Sequence, residues 1–189
     1  MKLNIFFLII FLAIGILFSS CIKKEEYPFV PHIEYVDFTK IQNSLGIDEK
    51  GILKISFTDG DGDIGLAPGD TFGPFSRDSA YYYNFFIKYF EKQKGIIKEI
   101  ELPFPNNSRI PFLTPSGKNK ALKGDIEITL FINNPLTTYD TILFQAYIVD
   151  RALHKSNVIS TPEIKVKKQW QIKLYIIYID ESVGVIDKM

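Results

Sequence analysis

Three aspartates at alternate positions, in Asp59-Gly60-Asp61-Gly62-Asp63-Ile64-Gly65, are the one constellation in this chain whose types and spacing could do chemistry. Carboxylates at i, i+2 and i+4, in a stretch that glycine allows to bend, can converge on one point. Calcium takes six to eight oxygen ligands, supplied by carboxylates and backbone carbonyls at this sort of spacing. The carboxylates of Asp59, Asp61 and Asp63 are therefore candidate calcium ligands. Without a cation the three acids repel one another and prefer a solvated loop. The competing reading is an ordinary Asp/Gly turn between strands, where these residues are common because they tolerate left-handed backbone.

Nothing else in the chain has the pattern of a reactive centre. The two histidines, His32 and His154, lie far apart in sequence, and no HExxH pair, GxSxG elbow, Walker loop or GxGxxG turn occurs. The expectation is that the protein is not an enzyme. The aromatic run Tyr81-Tyr82-Tyr83-Asn84-Phe85-Phe86-Ile87-Lys88-Tyr89-Phe90 invites a second reading. On a strand, Tyr82, Phe86 and Phe90 share one parity and form a candidate binding face, since exposed aromatics stack on sugars or anchor protein partners. The alternative is a central strand covered on both sides. The 22 basic residues balance the 22 acidic ones, so there is no field to attract nucleic acid.

The elements that must position these groups alternate with period two. Leu53, Ile55 and Phe57 alternate with Lys54, Ser56 and Thr58, and similar runs cover Ile126 to Ile132 and Ile142 to Ile148. The pattern predicts strands near 33–39, 52–58, 81–91, 96–102, 109–113, 124–132, 141–149, 158–166 and 170–179. Gly, Pro, Asn and Asp punctuate them. Many short strands so spaced predict an all-β fold, an antiparallel β-sandwich, with a small β-barrel as the alternative. The run Asp140 to Ile164 resembles the final hairpin of bacterial immunoglobulin-like and fibronectin type III-like domains, with Asp150, Ser156, Asn157 and Thr161 in the matching places. In such a sandwich the loop between the second and third strands shares a pole with that hairpin. Asp59 to Asp63 are then expected near Asp150 and Asn157, which could complete a cation shell, and near Arg151, which could pair with the acids. The acidic stretch itself resembles the start of an EF-hand-type loop. The resemblance implies a calcium ligand set of Asp59, Asp61 and Asp63 with the carbonyl of Gly65 at the seventh position and Asp70 at the twelfth, although Ile64 stands where the glycine belongs and Asp70 where a glutamate is usual.

The N-terminus supplies an address. Lys2, an apolar run from Ile5 to Phe18, and Ser19-Ser20 before Cys21 have the layout of a secretory signal peptide. Cys21 is the only cysteine, and Phe18-Ser19-Ser20-Cys21 resembles a bacterial lipobox. The resemblance implies cleavage before Cys21 and its lipidation, which anchors the chain to the membrane. The expected organisation is a signal peptide at 1–20, the lipidated Cys and a proline-containing tether at 21–32, and one β-sandwich domain at 33–189 that includes an extra C-terminal strand. With its DGDGDIG loop, the chain looks like an uncharacterised family of Bacteroidetes lipoproteins. In such proteins an acidic cluster after the Cys, here Glu25-Glu26, resembles a surface-export signal. This implies an outer-membrane lipoprotein, surface-exposed or periplasm-facing. Two functions remain in view: a non-enzymatic, lipid-anchored structural or protein-interaction module of the cell envelope, calcium-stabilised or not, and a carbohydrate- or substrate-binding surface lipoprotein. The first strand begins at the acidic pole, so the tether would leave from that end and turn it toward the membrane.

Overall fold

The computed structural model describes residues 26–113 and 120–168. The signal peptide, Cys21 and the predicted strand at 170–179 lie outside the described residues. Among the described residues eight strands form: β1 (His32–Gln42), β2 (Asp48–Asp59), β3 (Phe85–Gln93), β4 (Ile96–Glu99), β5 (Leu122–Phe131), β6 (Thr141–Ile148), β7 (Ile159–Ser160) and β8 (Ile164–Lys165). One sheet has the order β1-β2-β5. The other has β4-β3-β6-β7, with β8 also on β6. All strand pairs are antiparallel. This is the immunoglobulin-like sandwich arrangement, in which strands one, two and five face strands three, six and seven. The sheets are open, not closed on themselves, which overturns the barrel alternative.

Side-chain alternation builds the core. Leu53, Ile55 and Phe57 of β2 face Phe85, Ile87 and Tyr89 of β3 and Ile142, Phe144, Ala146 and Ile148 of β6 across one continuous cluster. Phe85 and Phe144 have no exposed surface, and burying such a side chain contributes roughly 1.5–3 kcal/mol. β1 carries a register shift between Tyr35 and Asp37. This bulge brings Phe38 inward to stack on Phe144, ring centroids 5.8 Å apart.

Several predicted strands are shorter than expected, and the interruptions have identifiable causes. The run 158–166 breaks at Thr161-Pro162 into two short pieces, because proline has no N–H for the ladder. Thr161 repairs the gap, its hydroxyl accepting from the Phe144 N–H at 3.0 Å. Ser156 does the same for the Ile148 N–H, also at 3.0 Å. The expected strand at 109–113 is reduced to an isolated bridge between Pro111 and Leu66. The expected strand at 81–91 starts only at Phe85, so the three tyrosines lie in the preceding loop.

The open flanks of the sandwich are closed by asparagine side chains acting as one-residue strand partners. Asn157 accepts from the Ile33 N–H at 2.9 Å and donates to the Ile33 carbonyl at 2.8 Å. On the opposite flank Asn106 accepts from the Phe131 N–H at 2.9 Å and donates to its carbonyl at 3.3 Å. Each amide satisfies both backbone groups of an edge residue and ties one sheet to a connection of the other.

Thr161→Val keeps the shape of the side chain but strands the buried Phe144 N–H. It is expected to lower unfolding free energy in urea by about 1–3 kcal/mol, and Thr161→Ser by clearly less. Equal losses for the two variants would show that the hydroxyl acceptor contributes nothing.

Candidate functional site: the acidic pole

Asp59 is the last residue of β2, pairs with Leu122, and has the same parity as Leu53, Ile55 and Phe57. The register therefore turns its carboxylate inward, and it has no exposed surface. Its Oδ2 accepts from the Asp63 N–H at 2.9 Å and the Ile64 N–H at 3.3 Å, which folds the loop back over the strand end. Ile64 then fills the core with no exposed surface. Its side chain, in the place where an EF-hand-type loop has glycine, serves as the hydrophobic plug of the turn.

The turn gathers the three aspartates. Asp59, Asp61 and Asp63 each offer a carboxylate oxygen within 4.8 Å of the others, so the cluster could hold a metal ion. The Oδ1 atoms of all three are buried and have no hydrogen-bond partner among the described residues. Acceptors with no donor in a buried site fit a cation chemically, since an unsatisfied carboxylate oxygen is costly to bury. Electrostatics agree: burial, then the charges of Asp61 and Asp63, push the Asp59 carboxyl up to about 6 despite its two backbone donors. Burial, then Asp150 and Asp61, also raise the carboxyl of Asp63.

The other two expected ligands behave differently. Asp70 does not join the triad. Its Oδ2 accepts from the Ala67 N–H at 2.8 Å and lies 3.7 Å from Arg151 Nη1. Twelfth-position spacing fails because a proline-glycine turn at Pro68-Gly69 reverses the chain before Asp70. Gly65, with φ +98°, is where the loop passes so close to Pro111 that an added Cβ would lie 2.2 Å from the Pro111 carbonyl oxygen. Its glycine identity answers to that close approach.

The expected neighbours are in place. The Arg151 N–H donates to the Asp63 carbonyl at 3.3 Å, and the Ala152 N–H donates to Asp63 Oδ2 at 3.1 Å. Asp150 is buried and accepts from the His154 N–H at 2.7 Å and meets its Nδ1 at 2.9 Å. That contact, with the more distant pull of Asp61 and Asp63, raises the imidazole pKa. Asn157 is held on Ile33 instead of the triad. Arg151 pairs with Asp70 alone among the loop acids and lies over Phe112 at 5.2 Å. The chain before β1 runs along the same pole, where the Gly60 N–H donates to the Pro28 carbonyl at 2.8 Å.

The long connection from Asp59 to Asn84 is held by Arg109, a residue with no motif to mark it. Its guanidinium donates to the carbonyls of Tyr82 at 2.7 Å, Ala67 at 3.1 Å and Asp70 at 2.9 Å. It also lies over the Tyr82 ring at 5.0 Å. Tyr82 is thus part of the loop and not of the aromatic face, because β3 begins at Phe85. Phe86 and Phe90 do point to the outer side of β3. Phe86 stacks on Tyr147 at 4.9 Å, with Lys155 Nζ 3.9 Å above that ring. Phe90 sits opposite Leu143. The trio is not brought together. Sequence reasoning also missed an apolar cleft of about 390 Å³ at the far pole, lined by Leu102, Pro103, Phe104, Phe131, Pro135 and Leu136. Its only sequence signal is the pair of proline-flanked apolar stretches.

Fold and site together define a single class: an immunoglobulin-like β-sandwich with a candidate carboxylate metal centre at one pole. Comparison with protein-family models, with curated proteins and with solved structures finds no match to this chain.

The raised Asp59 pKa sets a pH dependence for the metal-free protein. The native state holds this proton more tightly than the unfolded chain, so its contribution to stability falls as pH rises from about 4 to about 6 and stays low above that. In a chelator, Asp59 is expected to cost about 1–2 kcal/mol between pH 5 and pH 7.5. Asp59→Asn, whose amide oxygen can still accept from Asp63 and Ile64, removes that component. Denaturation curves with the same pH slope for both proteins would contradict the assignment.

Proposed function

We propose that this chain is a non-enzymatic, lipid-anchored module of the cell envelope whose sandwich is stabilised by calcium at the pole next to its anchor. The observation that carries the reading is the set of three buried Oδ1 atoms with no donor. Oxygen-only donors select a hard cation, and ligands carried on a loop suit the flexible, irregular shell of calcium better than the near-ideal octahedron of magnesium. The Cys21 lipobox supports the anchor, and the contact of Gly60 with Pro28 supports placing the acidic pole toward the membrane. The role that follows is structural or protein-binding. Ser156, the hydroxyl closest in sequence to His154, is buried and bonded to Ile148 and Asn157, which supports a non-catalytic reading of that hairpin.

A ligand that binds only the native state adds RT ln(1 + [L]/Kd), about 2.7 kcal/mol at a hundredfold excess over Kd. Calcium is expected to raise the melting temperature by about 5–10 °C on the scale of a domain this size. Asp59→Asn is expected to melt higher than the wild type in chelator and to show no rise with calcium. No shift at millimolar calcium would remove the metal from the account. Separately, mass spectrometry of the membrane-extracted protein is expected to find Cys21 N-terminal and acylated, and an unmodified Cys21 would remove the anchor.

A further inference from the structure

We infer that a cation in the triad acts as a latch that fastens the stalk before β1 and the hairpin after β6 to the loop between β2 and β3. This rests on the calcium reading above and deepens it by naming what occupancy controls. The site stands on more than clustered acids, because Asp59 is fully buried and its Oδ1 has no donor in the place where the three carboxylates converge.

One ligand and one residue between ligands carry the contacts to the two neighbours. Asp63 takes the Arg151 N–H on its carbonyl and the Ala152 N–H on its Oδ2. Gly60, between Asp59 and Asp61, donates its N–H to the Pro28 carbonyl. The stalk lies so tightly against it that an added Cβ would come within 2.2 Å of the Tyr27 carbonyl oxygen. Arg151 extends the connection to the far arm of the loop through Asp70. Repulsion among the carboxylates therefore strains the same few residues that hold the stalk and the hairpin. A cation that draws the three carboxylates together relieves that strain and tightens all three segments at once. The occupant is a hard divalent cation, and the consequence is that Tyr27 and Pro28 of the stalk and Arg151 and Ala152 of the hairpin are held more tightly against the loop when the cation is bound.

The test is residue-resolved amide exchange on the purified full-length chain, in calcium chloride and in chelator, with calcium binding measured in parallel by calorimetry. The Gly60, Arg151 and Ala152 amides are expected to slow at least tenfold more than the Phe144 amide in the core. In Gly60→Ala, calcium binding is expected to weaken by about the factor by which calcium slows the wild-type Gly60 amide, with protection kept at residues 151 and 152 and lost at residue 60. If calorimetry registers binding while these amides change no more than Phe144, the latch is wrong and the calcium site stands. If calorimetry registers no binding, both readings fall.

Discussion

The register of β2 buries a carboxylate. Leu53, Ile55 and Phe57 commit one face of the strand to the core, and the next position of that parity is Asp59. A strand cannot turn a single side chain outward without a bulge or a slip, and a slip would expose every apolar residue on the face. The chain therefore ends β2 with a charged group facing inward and must build a turn around it. One oxygen organises that turn through two backbone amides. The other is left without a donor, in the company of two more aspartates in the same condition.

The opposite pole shows what a self-sufficient buried polar cluster looks like in this molecule. Asp48 is also fully buried, and burial alone would raise its pKa, yet the Lys167 N–H, Lys40 and Gln42 outweigh it and hold the carboxyl below its ordinary value. Glu91 accepts from the Tyr89 hydroxyl, Gln93 and Asn134, while the Lys168 ammonium donates to the Asn134 carbonyl. Burial lowers the Lys168 pKa, with Glu91 and Asp140 working against that shift. There each charge meets protein partners of the opposite kind. At the acidic pole negative charge gathers on one point, and the basic side chains described beside it are engaged elsewhere, His154 with Asp150 and Arg151 with Asp70.

Much of this was legible in the residues because period-two alternation is a direct image of a sandwich strand. Leu53 to Phe57, Ile142 to Ile148, and the hairpin residues Asp150, Ser156, Asn157 and Thr161 lie where the pattern places them, and the shared pole of the acidic loop and that hairpin follows from topology. The misses have physical causes. Tyr82 carries the parity of Phe86 but not its strand, since the loop ahead of β3 is shaped by Arg109, twenty-seven positions away in sequence. Asp70 has the right spacing for a twelfth ligand, but a turn at Pro68-Gly69 and the Ala67 amide take it elsewhere. The asparagine clamps on Ile33 and Phe131 are long-range pairings of single side chains, with no periodicity to betray them.

The account stands or falls on what those three oxygens face. A crystal of the full-length protein grown in calcium chloride, with anomalous data collected at long wavelength, addresses this directly. The account predicts one anomalous peak about 2.3–2.6 Å from carboxylate oxygens of Asp59, Asp61 and Asp63. The contradicting result is no peak at the site and the Oδ1 atoms bonded to donors of the protein itself.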